Sequence, residues 1–204
     1  MKTKKKPVGR KKKIKIQPDW RWITLIFGAT IGISSAMSLL SNELLSAGGM
    51  ALSFCVLLFI VLIGVVFDII GVSVTAAEEK PFHSMAAKKR PEAVIAIRLL
   101  RKADRVSSFC NDVVGDICGV VSGSAAAVIA AGIVMDSGPL LSRLIPLLLS
   151  SLVAALTVGG KAFGKSIAMQ NSVQIVHAAA KFVYWFSNIP RRLFGIRKRG
   201  KRNS

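Results

Sequence analysis

The chain has 204 residues, 52% of them hydrophobic, and a formal net charge of +19 at neutral pH; its mean hydropathy is +0.53. Once its long apolar stretches are set aside, too little apolar material remains for a separate water-soluble core, which excludes an independent soluble domain. In a soluble protein such a charge would point to nucleic acid. Here the basic residues flank apolar stretches, which fits anionic lipid headgroups instead, at about 1 kcal/mol per basic residue near the surface.

Residues 1–19 are lysine-rich and interrupted by Pro7, Gly9 and Pro18. Such a segment cannot bury apolar surface and is expected to stay disordered until it meets lipid or a partner. Four apolar stretches follow, at 20–40, 50–70, 113–135 and 140–158. Each approaches the roughly 20 residues that a helix needs to cross a hydrocarbon core of about 30 Å. The first is too long for a secretory signal and carries Trp20 and Trp22 beside a basic flank, so it reads as a retained signal-anchor span.

Alternate threading gathers the basic segments on one face. These are Lys4-Lys5-Lys6, Arg10-Lys11-Lys12-Lys13, the stretch from Lys88 to Arg105, and Arg197-Lys198-Arg199. The other face receives the short connections 41–49 and 136–139, with Arg143 just inside the fourth span. The positive-inside rule then makes both termini cytoplasmic.

Between the second and third spans, residues 76–108 predict a belt of two short helices. Glu78-Glu79-Lys80-Pro81 suits one start and Pro91 another. From Glu92 to Val106, Arg98, Arg101, Lys102 and Arg105 share one face. Ile95, Leu99, Leu100, Ala103 and Val106 fall largely on the other. The pattern predicts helices lying in the cytoplasmic interface. Residues 172–189 predict a further interfacial helix anchored by Tyr184 and Trp185, because a fifth crossing would export the basic residues 190–204. The expected fold is therefore an all-α integral membrane protein. It has four transmembrane helices, a cytoplasmic paired-helix belt, a C-terminal interfacial helix and two basic tails, 1–19 and 190–204.

The three cysteines, Cys55, Cys110 and Cys118, lack metal-type spacing and read as small buried hydrophobes. The two histidines, His83 and His177, lie in amphipathic stretches without a nucleophile–base constellation or phosphate loop, so no enzyme is expected. Ionisable groups within spans cost about 2.5 to 3.5 kcal/mol each and need a reason. Asp68, Asp112, Asp116 and Lys161 fall at one depth, among Gly71, Ser73, Thr75, Asn111, Gly115, Ser122 and Ser124. Carboxylate, amide, hydroxyl and freed carbonyl oxygens are what a hard cation such as Mg²⁺ requires. The same residues also admit a structural reading: Asp116 and Lys161 neutralise one another at the boundary, and Gly119-x-x-x-Gly123 serves close helix packing.

From Met50 onward the order of parts resembles the transmembrane domain of the cyclin-M/CorC family, implicated in magnesium transport. Three runs carry the likeness. Gly71-Val72-Ser73-Val74-Thr75-Ala76 is similar to the family's Ser-Gly-Ser-Glu-Thr-Ala motif. Cys110-Asn111-Asp112-Val113-Val114-Gly115-Asp116 stands where the family has Gly-Asn and a second Asn. Gly160-Lys161-Ala162-Phe163-Gly164-Lys165-Ser166-Ile167-Ala168 is similar to Gly-Glu-x-x-Pro-Lys-Ser-x-Ala. Ala103-Asp104-Arg105 resembles the family's Pro-Asp-Arg. The likeness spans residues 50–190. It implies a homodimer and a Mg²⁺ site using Ser73, Thr75 and Asn111, with Asp112 or Asp116 supplying charge. Two departures stand out: Val74 and Lys161 replace the family's glutamates. Lys161 would then occupy the cation's own place, supplying one positive charge and no acceptor. The family's nucleotide-sensing CBS pair, which would follow residue 204, is not expected here. The two expectations are a membrane protein that binds or transports a divalent cation, and a non-transporting scaffold plugged by Lys161.

Overall fold

A computed structural model describes residues 20–134 and 138–193; the basic segments 1–19 and 194–204 and residues 135–137 lie outside them. Every element within these residues is helical. In chain order they are α1 (Trp20–Ala47), α2 (Met50–Ala76), α3 (Lys80–Ala87), α4 (Pro91–Leu100) and α5 (Ala103–Ser108). A π-helical turn (Phe109–Gly115) leads into α6 (Asp116–Val134), followed by α7 (Leu141–Gln170) and α8 (Ser172–Leu193). Four helical stretches are long and apolar enough to cross a membrane: Trp20–Leu45, Met50–Ala76, Ala103–Val134 and Leu141–Gln170. The chain is thus an all-helical protein of multi-pass membrane type.

The helices overrun the apolar stretches read from hydropathy, and the overrun has a physical cause. Hydropathy marks only the apolar length of a helix, whereas its i to i−4 hydrogen bonds can continue into the polar residues at either end. The third helical stretch therefore begins at Ala103 rather than 113, passing through the π turn. The fourth continues beyond 158, through Gly159-Gly160 and Lys161, to Gln170. The second helix ends at Ala76, where Ala77 turns extended and its N–H bonds the Ser73 carbonyl.

The segment between α2 and the π turn forms three short helices instead of the expected two. Pro81 and Pro91 open α3 and α4, as proline suits a first helical turn. The basic stretch expected as one helix breaks at Arg101-Lys102, where Lys102 leaves helical geometry (φ −118°, ψ 30°). The facial partition holds across that break. Arg98, Arg101, Lys102 and Arg105 are exposed, while Ala93, Ala96 and Leu100 are buried.

Two kinds of core hold the assembly. Between the long helices, Leu57, Val61, Ala126, Ile129 and Val153 join α2, α6 and α7. At the end of α2, Val74, Phe82, Ala96, Leu100, Val176 and Ala180 form a second cluster drawn from α2, α3, α4 and α8. Phe82, Val176 and Ala180 are fully buried. One face of α8 is spent on this cluster, and Phe182, Trp185 and Phe186 project outward from the helix. Tyr184, the other expected anchor, is half-buried.

Candidate cation site

Small residues decide how closely the long helices approach, because without a β-carbon two backbones can pack directly. Helices α2 and α7 run parallel in a regular register. A β-carbon on Gly160 would meet Val65 Cγ2 at 2.9 Å, and one on Gly164 would meet Ile69 Cγ1 at 2.6 Å. One turn further, Ser73 Oγ donates to the Ile69 carbonyl (2.7 Å) and lies 3.5 Å from the Ala168 carbonyl, 95 residues away. Helix α2 meets the π turn and α6 along a second seam. There a β-carbon on Gly64 would meet Cys118 Cβ at 2.9 Å, and one on Gly71 would collide with the Asn111 carboxamide.

Asn111 sits inside the π turn, a geometry that inserts an extra residue per turn and recurs at functional sites. Its Nδ2 donates to Ser107 Oγ at 3.3 Å. Its Oδ1 is buried and accepts no hydrogen bond from the described residues. A buried acceptor left unmatched costs about 1–3 kcal/mol. One turn along, Lys161 reaches across from α7, its Nζ lying 3.3 Å from the β-carbon position of Gly115. No carboxylate among the described residues lies within ion-pair distance of that ammonium.

Asp68 belongs to the same region. At 100° per residue it falls on the arc of α2 between the Gly64–Gly71 seam and the Val65–Ile69–Ser73 seam. It is half-buried there. The junction of α2, the π turn and α7 therefore carries an orphan amide oxygen, a lysine ammonium and an aspartate on the arc between the seams. Glycine at 71 leaves the space that the amide occupies, and glycine at 115 lets the ammonium approach closely.

The remaining residues expected at a cation site are placed as follows. Ser73 is fully buried but on the α7 seam. As its proton is donated to a carbonyl, its lone pairs are the acceptors it offers. Thr75 is exposed, with Oγ1 donating to the Val72 carbonyl at 2.8 Å. Asp112 and Asp116 are both exposed on the outward face of the third stretch, in line with Val120, which is 68% exposed. Asp112 Oδ2 accepts from Ser108 Oγ at 2.7 Å. Neither Asp112 nor Asp116 pairs with Lys161. Ser122 and Ser124 donate to the carbonyls of Gly119 and Val121, within their own helix. Among the described residues no group of three or more His, Cys, Asp or Glu side chains comes together as a metal site.

Sequence reading undervalued Asp68, Gly71 and Gly115. A helical wheel on α2 locates Asp68, but only the seams tell which arc faces the junction. Comparison with protein-family models, curated proteins and solved structures finds no match for this chain.

Proposed function

We propose that this is a cyclin-M/CorC-like membrane protein that binds or transports a divalent cation, Mg²⁺ first among them, at the junction of α2, the π turn and α7. The observation that carries the reading is Asn111 Oδ1: a buried acceptor without a donor, presented by a π turn. A hard cation satisfies such an oxygen and takes its remaining ligands from hydroxyl, carbonyl and carboxylate groups. Asp68 is the carboxylate on the facing arc, and Ser73 supplies the hydroxyl of the neighbouring seam. Asp112, Asp116 and Thr75 would take part only in a rearranged state. The resemblance through residues 71–76, 110–116 and 160–168 supports the same region. In this reading the protein is a homodimer of the cell membrane with both termini, α3–α5 and α8 on the cytoplasmic side. The basic tails hold anionic headgroups there.

A second reading is favoured by Lys161. Its ammonium already abuts the π turn at Gly115, and a tethered cation and Mg²⁺ compete for one junction. On that reading the protein is a non-transporting scaffold or regulator, with Lys161 as the resident charge.

Mg²⁺ flux into proteoliposomes separates the two. Flux that Asn111→Ala abolishes supports transport; flux unchanged in that variant overturns the site. If neither folded protein carries flux and Lys161→Glu creates Mg²⁺ binding, the plugged scaffold stands. If Lys161→Glu changes nothing, plugging is wrong.

A further inference from the structure

A cleft of about 370 Å³ opens between α1 and the short helices, lined by Trp22, Leu99, Lys102, Arg105, Val106 and Phe109. Its composition is divided. Lys102 and Arg105 are exposed cations, whereas Trp22, Leu99, Val106 and Phe109 are half-buried and apolar. The Arg105 guanidinium lies 5.0 Å from the Trp22 ring centroid, a cation–π geometry that ties the start of α1 to α5. Trp22 stands in the first turn of one membrane-length helix, and Phe109 follows Ala103–Ser108 at the start of another. The cleft thus straddles the level at which the apolar helices begin.

From this division we infer that the cleft is a specific binding site for an anionic phospholipid. The headgroup phosphate lies against Lys102 and Arg105, and the upper acyl chain lies along Leu99, Val106 and Phe109. A soluble anion would use the two cations but leave the apolar wall in contact with water. A zwitterionic lipid would fill that wall while its own cation opposed Lys102 and Arg105. Only a lipid with net negative charge matches both halves. Trp22 closes one side, as tryptophan suits the boundary between headgroup and hydrocarbon. This site is separate from the polybasic tails and independent of whether the junction around Asn111 handles a cation.

The test is native mass spectrometry of the full chain in detergent, titrated with phosphatidylglycerol and with phosphatidylcholine of matched acyl chains. Wild-type protein is expected to retain phosphatidylglycerol at least ten-fold more tightly. Lys102→Gln should weaken that binding about five-fold, and Lys102→Gln with Arg105→Gln by a further factor of about five, one such factor per charge removed. Lys88→Gln with Arg98→Gln removes two exposed charges outside the cleft and should leave affinity unchanged. Lys102→Arg, which keeps both charge and fold, should bind as wild type. Equal losses in the Lys88/Arg98 variant would overturn the site in favour of diffuse charge. Undiminished binding by Lys102→Gln would also overturn it, as would displacement of the lipid by inorganic phosphate at matched concentration.

Discussion

Gly71 and Asn111 share one position on the seam between α2 and the π turn: a β-carbon on the glycine would collide with the carboxamide of the asparagine. The glycine is therefore a condition for the rotamer that leaves Asn111 Oδ1 buried and open. Because the obstructing atoms are the end of a side chain, Gly71→Ala should fold with a loss of about 1 kcal/mol, at the low end of overpacking costs. Its Asn111 carboxamide would be displaced. The expected signature is a modest drop in thermal midpoint together with loss of Mg²⁺ binding or flux as large as that of Asn111→Ala. Cation handling unaffected by Gly71→Ala would separate Asn111 from the function.

Close approach of α2 and α7 depends on Gly160 and Gly164 facing Val65 and Ile69. Gly164→Leu should force the helices apart and cost roughly 3 kcal/mol, at the upper end for overpacking a packed seam. Gly159 faces open space. Gly159→Ala should be neutral or stabilising by up to about 1 kcal/mol, because alanine is the better helix former. Thermal unfolding of the three proteins in one detergent compares them directly, and equal effects at 159 and 164 would contradict the seam.

Lys161 reaches the junction and Asp68 lies on the arc of α2 beside it, with no ion pair between them; in apolar surroundings each charge should still feel the loss of the other. Asp68→Asn and Lys161→Met are each expected to destabilise, while the double variant recovers much of the loss. The coupling should lie within about 0.5–3 kcal/mol in a double-mutant cycle. Strict additivity would show that the two charges do not sense each other.

Among the described residues, Lys89 is the one with positive φ outside glycine, at 58°. Its N–H bonds the Ala86 carbonyl at 2.9 Å and the next N–H bonds that of Met85 at 3.4 Å, the two bonds of a Schellman ending to α3. Glycine has no β-carbon penalty there, so Lys89→Gly should stabilise the protein by about 1 kcal/mol. A lower thermal midpoint would mean that the lysine side chain has a compensating contact.

Hydropathy alone was enough to read four helices of membrane-spanning length, because a helix in hydrocarbon must be apolar over its whole length whatever it packs against. Pro81, Pro91 and the basic stripe through Arg98 and Arg105 likewise announced the short helices, since proline geometry and amphipathic spacing are local. The break at Arg101-Lys102 and the continuation of α7 through Gly159-Gly160 were not legible. Both arise from what neighbouring helices bury or satisfy. The site divides in the same way. Residue types and family-like spacing singled out Asn111, Ser73 and Lys161, yet they grouped Asp112 and Asp116 with them because sequence records depth and not direction. Only the packing of α2 against the π turn and α7 turned Asn111 inward, left the two aspartates outward and brought Lys161 to Gly115. The physical reason is that rotation about a helix axis is set by which small residues let two backbones touch.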